Sequence, residues 1–342
     1  MFRNILVPLD GSSRAERELP VAARLAQASG GTVILLRVVR FATEFVPYPE
    51  ADPWTIRTIN DADLAEARNY LERITDMSSL SDVQTETTVI KGRAADTILS
   101  VVETYHIDLI VLCSHGYTGM KRWVLGSVAE KVARSAPIPV LVLREDGPVP
   151  ASPHPDPTRP LRVLVTLDGS VLAKAALEPA ASMIAALAAP AQGALHLVRV
   201  VKPVNPEREE KDPEEREHFL YKAKFYLSST VGHLREGLVA PAVANLKLPI
   251  TWSVAVDTDV AEAIVRVAEN GEDAEGAGVF GGCDIIAMAT HGLSGIRRWE
   301  MGSITERVLH ATRLPLLIVR PPDMMDKSNV TWDTATLSAI QG

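Results

Sequence analysis

The chain contains only two cysteines in 342 residues, Cys113 and Cys283, and no CxxC pair. This excludes a disulfide framework and a thiolate metal site. It has no surplus of basic charge either: 35 Lys and Arg stand against 43 Asp and Glu, a net charge of −8. General affinity for nucleic acid needs clustered cations and counterion release, so none is expected. A local basic site for a small phosphate compound stays open. Long apolar runs are also missing. The N-terminal "MFRNILVPLDGSS" is too short in apolar residues for a signal peptide. The longest uncharged stretch, Pro179 to Leu197, is interrupted by prolines, a Gln, a Gly and a His. The sequence therefore predicts a cytosolic protein that neither crosses a membrane nor binds nucleic acid.

Catalytic signatures are equally scarce. No GxxxxGK[ST] loop, no G-x-S-x-G elbow and no Ser-His-Asp set is evident. The loop after the first apolar run, "LDGSSRAE" or "LDGSVLAK", is a poor match to the SGGxDS type used by ATP-consuming ligases and pyrophosphatases.

What the chain does have is repetition. "HGYTGMKRWVLGSVAEKV" from His115 returns as "HGLSGIRRWEMGSITERV" from His291, with nine of eighteen positions identical. "RNILVPLDGS" from Arg3 matches "LRVLVTLDGS" from Leu161, and "VILLRVVR" from Val33 matches "LHLVRVVK" from Leu195. "IDLIVLCSHG" matches "CDIIAMATHG", and "PIPVLVLR" matches "RLPLLIVR", all in the same order. Between the copies lies "EDGPVPASPHPDPTRP", whose six prolines suit a stiff extended linker. The expected organisation is thus a first repeat over residues 1–144, a linker over 145–160, a second repeat over 161–320 and a tail over 321–342. Each repeat is long enough to bury a core of its own. The segment "NGEDAEGAGVFGG" is read as an irregular insert of the second repeat.

Within the first repeat, β-branched runs at Ile5–Leu9, Val33–Val39, Val83–Ile90, Leu109–Cys113 and Val140–Leu143 suit strands buried on both faces. The intervening segments have helical spacing. Alternating β and α elements predict a doubly wound, five-stranded parallel α/β sheet, Rossmann-like, present twice. The last strand of each repeat, "VLVLR" and "LLIVR", would be an apolar sheet edge. The two repeats are expected to pair through these edges or their flanking faces, and a homodimer of the whole chain is compatible with this.

In such sheets ligands bind beyond the carboxyl ends of the strands, where strand order reverses. Gly116 and Gly119, with Gly292 and Gly295 in the second copy, relieve the backbone of side-chain bulk. Gly126-Ser127 and Gly302-Ser303 present amides and a hydroxyl at a helix start, a seat for an anion. Lys121 and Arg122, matched by Arg297 and Arg298, add positive charge. Plain helix capping competes with this reading, because Ser127-x-x-Glu130 and Ser303-x-x-Glu306 both fit a capping box. Trp123 and Trp299 are read as packing residues, and His115 and His291 as loop residues rather than general bases.

These motifs resemble the universal stress protein family in its tandem form. Its nucleotide-binding members carry Gly-x2-Gly-x9-Gly-[Ser/Thr] after the fourth strand, an Asp ending the first strand and a Val ending the second. Gly116, Gly126 and Ser127, and Gly292, Gly302 and Ser303, match the latter part of that motif; Asp10 and Asp168 match the acid; Val38 and Val200 match the valine. The family's first glycine is Cys113 in one copy and Ala289 in the other. Glu300 in the second loop, where the first has Val124, opposes a phosphate. The resemblance implies a stress-response protein binding ATP, or ADP or AMP, with Mg²⁺ or Mn²⁺ as the usual companion of a polyphosphate and hydrolysis slow at most. On that reading Asp10 and Asp168 accept hydrogen bonds from a ribose or base, and the main chains of Val38 and Val200 meet an adenine edge. The competing reading is a nucleotide-free interaction module, which the Cys113 and Ala289 substitutions favour.

Overall fold

The strands form wherever apolar side chains can be buried on both sides of a sheet. The computed structural model describes residues 2–40, 53–114, 125–150, 159–203, 213–290 and 301–322. The first half runs β1 (Asn4–Leu9), α1 (Leu19–Ser29), β2 (Thr32–Val39), α2 (Pro53–Thr75), β3 (Gln84–Lys91), α3 (Ala94–Thr104), β4 (Leu109–Cys113), α4 (Ser127–Ser135) and β5 (Val140–Leu143). The second half runs β6 (Arg162–Thr166), α5 (Leu177–Ala188), β7 (Ala194–Val201), α6 (Pro213–Glu236), α7 (Pro241–Leu246), β8 (Ile250–Val256) and α8 (Val260–Asn270). It continues through β9 (Asp273–Ala274), β10 (Gly278–Val279), β11 (Ile285–Ala289), α9 (Ser303–Ala311) and β12 (Leu316–Val319). A short 3-10 turn follows each first strand, at Ala15–Glu18 and Leu172–Ala176.

Strand limits differ from the sequence reading by a residue at three places. Asn4 and Thr32 join β1 and β2, and β3 shifts to Gln84–Lys91. Ladder bonds belong to the main chain, so polar Asn4 and Thr32 pair as readily as their apolar neighbours.

Each half holds five parallel strands, and the two fives fuse into one sheet. Its order, β3-β2-β1-β4-β5-β12-β11-β6-β7-β8, reads as a palindrome. At the joint β5 and β12 run antiparallel, with Val142 opposite Leu316, Leu141 opposite Leu317 and Val140 opposite Ile318. Each apolar edge is thereby covered by the other half. Arg144 Nη1 donates to the Leu309 carbonyl at 3.3 Å, and Arg320 Nη1 donates to the Ser135 carbonyl at the same distance. Each arginine thus reaches the carboxyl end of a helix in the opposite half, where carbonyls lack intrahelical partners. Arg134 Nη2 adds an ion pair to Glu306 at 2.9 Å.

The interior divides by sheet face, not by half. Along β4, Leu109 and Val111 enter one apolar cluster while Ile110 and Leu112 enter the other. The first cluster lies under α1 and α5 and draws residues from both halves, from Leu19 and Leu25 to Leu177 and Ile184. The second lies under α3, α4, α8 and α9 and is likewise shared, from Ile98 and Val132 to Ile264 and Val308. Each repeat has the length to bury a core of its own, yet both clusters are shared. A ten-stranded sheet offers two continuous apolar faces, and helices from both halves settle side by side on each.

The segment read as an irregular insert contains the β9–β10 hairpin. The amide of Glu275 donates to the Trp252 carbonyl at 3.0 Å, so the insert covers part of the β8 edge. The linker is held at both ends. Glu145 pairs with Arg14, the Gly147 carbonyl accepts from Arg17, and Arg159 pairs with Asp284. Its residues 151–158, and the tail from 323, lie outside the described residues.

Candidate functional site

Strand order turns between β1 and β4 in the first half and between β6 and β11 in the second. In open α/β sheets such turning points are where a crevice lies beyond the carboxyl ends of the strands. Asp10 and Asp168 lie there, each half-buried, one residue past Leu9 and Leu167. Asp10 Oδ1 accepts from the Ser12 amide at 2.9 Å and from Ser12 Oγ at 2.6 Å. Asp168 Oδ1 accepts from the Ser170 amide at 2.9 Å. The turn-forming role of Asp-Gly-Ser therefore engages Oδ1 of each carboxylate.

Val38 and Val200 are half-buried near the same ends. The β1–β2 ladder stops at Leu9 opposite Arg37, whereas β2 runs on beside β3 to Val39. The β6–β7 ladder stops at Thr166 opposite Val198, and β7 continues to Val201 beside β8. On the side facing Asp10 or Asp168, the main chain of each valine lies past its ladder's last pair.

The second wall of each crevice is a helix start. The Gly126 amide donates to the Ser114 carbonyl at 2.7 Å, and the Gly302 amide to the Thr290 carbonyl at 2.7 Å. Gly126 and Gly302 are the N-caps of α4 and α9, with φ of −64° and −60°. Neither needs a left-handed backbone. At Gly302 the requirement is proximity: a Cβ would sit 2.9 Å from the Thr290 oxygen.

The competing capping-box reading does not match the geometry of the caps. Ser127 and Ser303 are the first residues inside their helices, and the caps make no side-chain hydrogen bond. Glu130 and Glu306 instead both meet Arg134. By contrast α8 is capped by Asp259, whose carboxylate accepts from Ala261 and Glu262. With glycine as cap, α4 and α9 lack the oxygen that Asp259 supplies to α8. Gly116, Gly119, Lys121, Arg122, Gly292, Gly295, Arg297 and Arg298 lie outside the described residues, as do His115, Trp123, Val124, His291, Trp299 and Glu300. Among the described residues no group of three or more metal-ligating side chains occurs, and no helix is long and apolar enough to cross a membrane.

The structure also gathers residues that the sequence reading passed over. Arg37 Nη1 donates to the Leu9 carbonyl at 3.2 Å, and its guanidinium lies 5.8 Å from the centre of the Tyr70 ring. The Tyr70 hydroxyl donates to Glu16 Oε1 at 3.2 Å. In the second half Arg199 lies 5.2 Å from the Tyr226 ring, and Lys174 Nζ is 5.3 Å from the same ring. Burial and the nearby Asp168 raise the Tyr226 phenol to about 12. Burial also pushes the Lys174 ammonium down. The available signal was an arginine within two apolar strands, Arg37 in "LLRVV" and Arg199 in "LVRVV".

Glu18, on the first 3-10 turn, is 1% exposed. Its carboxyl accepts from the Cys113 main chain, and Oε2 is buried without a partner. Burial first, and then the negative charge of Asp10, raises it well above the usual carboxylate range, so it is held as the neutral acid. In the unfolded chain it ionises above its ordinary value, so this site contributes stability at low pH that is lost as pH rises toward the folded value. Each pH unit in that window costs about 1.4 kcal/mol. Glu18→Gln should remove this slope. Urea unfolding followed upward from pH 4 should show the variant gaining on the parent, and parallel profiles would refute the assignment.

Each half thus carries an Asp-Gly-Ser turn after its first strand and a glycine-capped helix after its fourth. The profile of the Universal stress protein family matches residues 1–144 and 161–320. This chain belongs to the universal stress protein family. Universal stress protein YxiE of Bacillus subtilis is 32% identical over 151 residues, covering 42% of this chain and 100% of the relative. A universal stress protein of Methanocaldococcus jannaschii is 30% identical over 145 residues, 42% of this chain and 84% of its own length. A universal stress protein of Archaeoglobus fulgidus overlays 93% of this chain and 98% of its own with a TM-score of 0.59 at 18% identity, a likeness of fold. This universal stress protein therefore carries its family domain twice.

Proposed function

We propose that this tandem universal stress protein binds ATP or a related adenine nucleotide, ADP or AMP, at the crevice of each half, and that it acts through the bound state rather than through rapid chemistry. The observation that carries the reading is the pair of glycine-capped helices, α4 and α9, whose caps make no side-chain hydrogen bond among the described residues although serine and glutamate stand within reach in sequence. Uncapped helix starts favour negative oxygens through their free amides and the helix dipole. Asp10 and Asp168 would take hydroxyl or amino hydrogens of the sugar and base, and the main chains of Val38 and Val200 the adenine edge. A Mg²⁺ or Mn²⁺ ion, if carried by the nucleotide, would find Asp10 or Asp168 as its protein carboxylate. Among the described residues no acid is evidently placed to orient an attacking water, so at most slow hydrolysis is proposed.

A negative charge placed at the helix start separates the seat from the fold. A carboxylate in the first turn favours the helix dipole but repels phosphate. Ser127→Glu and Ser303→Glu should each remove one bound nucleotide per chain, lowering affinity at that seat at least tenfold, while the melting temperature holds or rises. Calorimetry with ATP, together with mass spectrometry of ligands released from purified protein, provides the readout. Unchanged stoichiometry and affinity in both variants would favour the competing reading, an interaction module without nucleotide. Cys113→Gly and Ala289→Gly should strengthen binding if those side chains crowd the seat.

A further inference from the structure

Among the described residues the two switch points differ at Cys113 and Ala289 and, in charge, at one short element. The 3-10 turn after the first strand spans each crevice: in the first half Glu16 reaches the tyrosine above Asp10 while Glu18 reaches the main chain of Cys113 at the end of β4. Aligned on the two Asp-Gly-Ser turns, Glu16 falls opposite Lys174, and Glu18 opposite Ala176. Lys174 takes the corresponding place against the second tyrosine, and Ala176 is fully buried. The surrounding parts agree in the two halves: an aspartate in the turn, an arginine against the following glycine and a tyrosine ring beside that arginine. At the position facing the tyrosine the turn therefore brings a carboxylate to the first half and an ammonium to the second; Arg17 and Arg14 of the first turn are engaged instead by the Gly147 carbonyl and by Glu145.

We infer that this turn sets the charge preference of each half, so that the second half takes the more anionic ligand and the first half the less anionic one. The inference rests on the nucleotide reading and adds to it a division of labour. Polyphosphates such as ATP would gather at the half with Lys174, and nucleosides or monophosphates would compete best at the half with Glu16. Half-buried charges act over about 8 Å at physiological salt, so a two-unit reversal beside a multiply charged ligand should change affinity about tenfold or more. Glu300, which the second loop carries by sequence, works in the opposite sense, and the measurement reads the net result.

The test uses the full chain, titrated by calorimetry with ATP and with adenosine in EDTA. The parent should show two ATP classes at least tenfold apart and adenosine classes within about threefold. Lys174→Glu should lower the ratio of ATP to adenosine affinity at the tight class by tenfold or more. Glu16→Lys should raise that ratio at the weak class, with Glu16→Gln intermediate. Two equal ATP classes in the parent would overturn the inference, and so would variants that move ATP and adenosine together, which marks a merely structural role. Absence of binding by either ligand would overturn the nucleotide reading and this inference with it. Binding of both ligands without a shift in ratio would overturn the inference alone.

Discussion

Leu317→Ala will destabilise both halves of the protein together, by about 3 kcal/mol. Leu317 and Leu141 face each other across the antiparallel joint, and both are fully buried. Both belong to the cluster beneath α1 and α5, which contains side chains of each half. Removing either leucine loses its transfer free energy and leaves a cavity that packed neighbours from two halves must collapse around. Leu141→Ala should cost a similar amount. Because the two side chains share that cavity, the double variant should depart from additivity by about 0.5–3 kcal/mol. Urea unfolding of the four proteins, followed by fluorescence and circular dichroism, measures this. One transition shifting as a whole is the expected outcome. Two transitions, with only one displaced, would show that the halves unfold separately and that the shared core contributes little across the joint.

The second large effect is acid sensitivity at His196. This side chain is fully buried on β7. Its Nδ1 lies 2.8 Å from Thr251 Oγ1 and its Nε2 2.9 Å from Ser253 Oγ. The Phe280 ring lies 4.0 Å away, with Arg162 over that ring at 4.9 Å. Burial, and then the positive charge of Arg162, lowers the imidazole to about 3. An unfolded histidine titrates near 6.5, so the unfolded chain binds the proton first as pH falls. The contribution is complete above about 6.5 and is lost progressively as pH falls toward 3, reaching roughly 5 kcal/mol.

Glu272 titrates in the same network through Ser253, and other carboxylates follow at low pH. The informative quantity is therefore the difference between the parent and His196→Gln, which keeps polar contacts but cannot be protonated. That difference should move in the variant's favour between pH 6.5 and 4. If it stays level, the histidine is reached by water or protonated in the folded state. The same network anchors the β9–β10 insert through Phe280, so protection of the Glu275 amide against hydrogen exchange should fall in parallel.

Much of the architecture was legible because it is written locally. Leu109–Cys113 and Val140–Leu143 were read to the residue, since a short uncharged β-branched run has few other ways to bury itself. The capping of α4 was not legible. Ser-x-x-Glu permits a capping box, and only the bond from Gly126 to Ser114 shows that glycine holds the cap position. Glu18 was passed over because one acid in a polar turn looks solvated until Cys113, 95 positions later, closes over it.

By itself the sequence determined the duplication, the alternation of strand and helix, the family and the two places where a helix start follows a fourth strand. These are matters of local pattern, and a repeated pattern is seen by comparing the chain with itself. The tertiary structure alone decided that the two sheets become one, that the cores divide by face, and that Glu16 meets Tyr70 where Lys174 meets Tyr226. Those outcomes depend on residues 50 to 180 positions apart arriving together. Hydrophobic burial drives that arrival without direction, and only the packed geometry selects which partners meet.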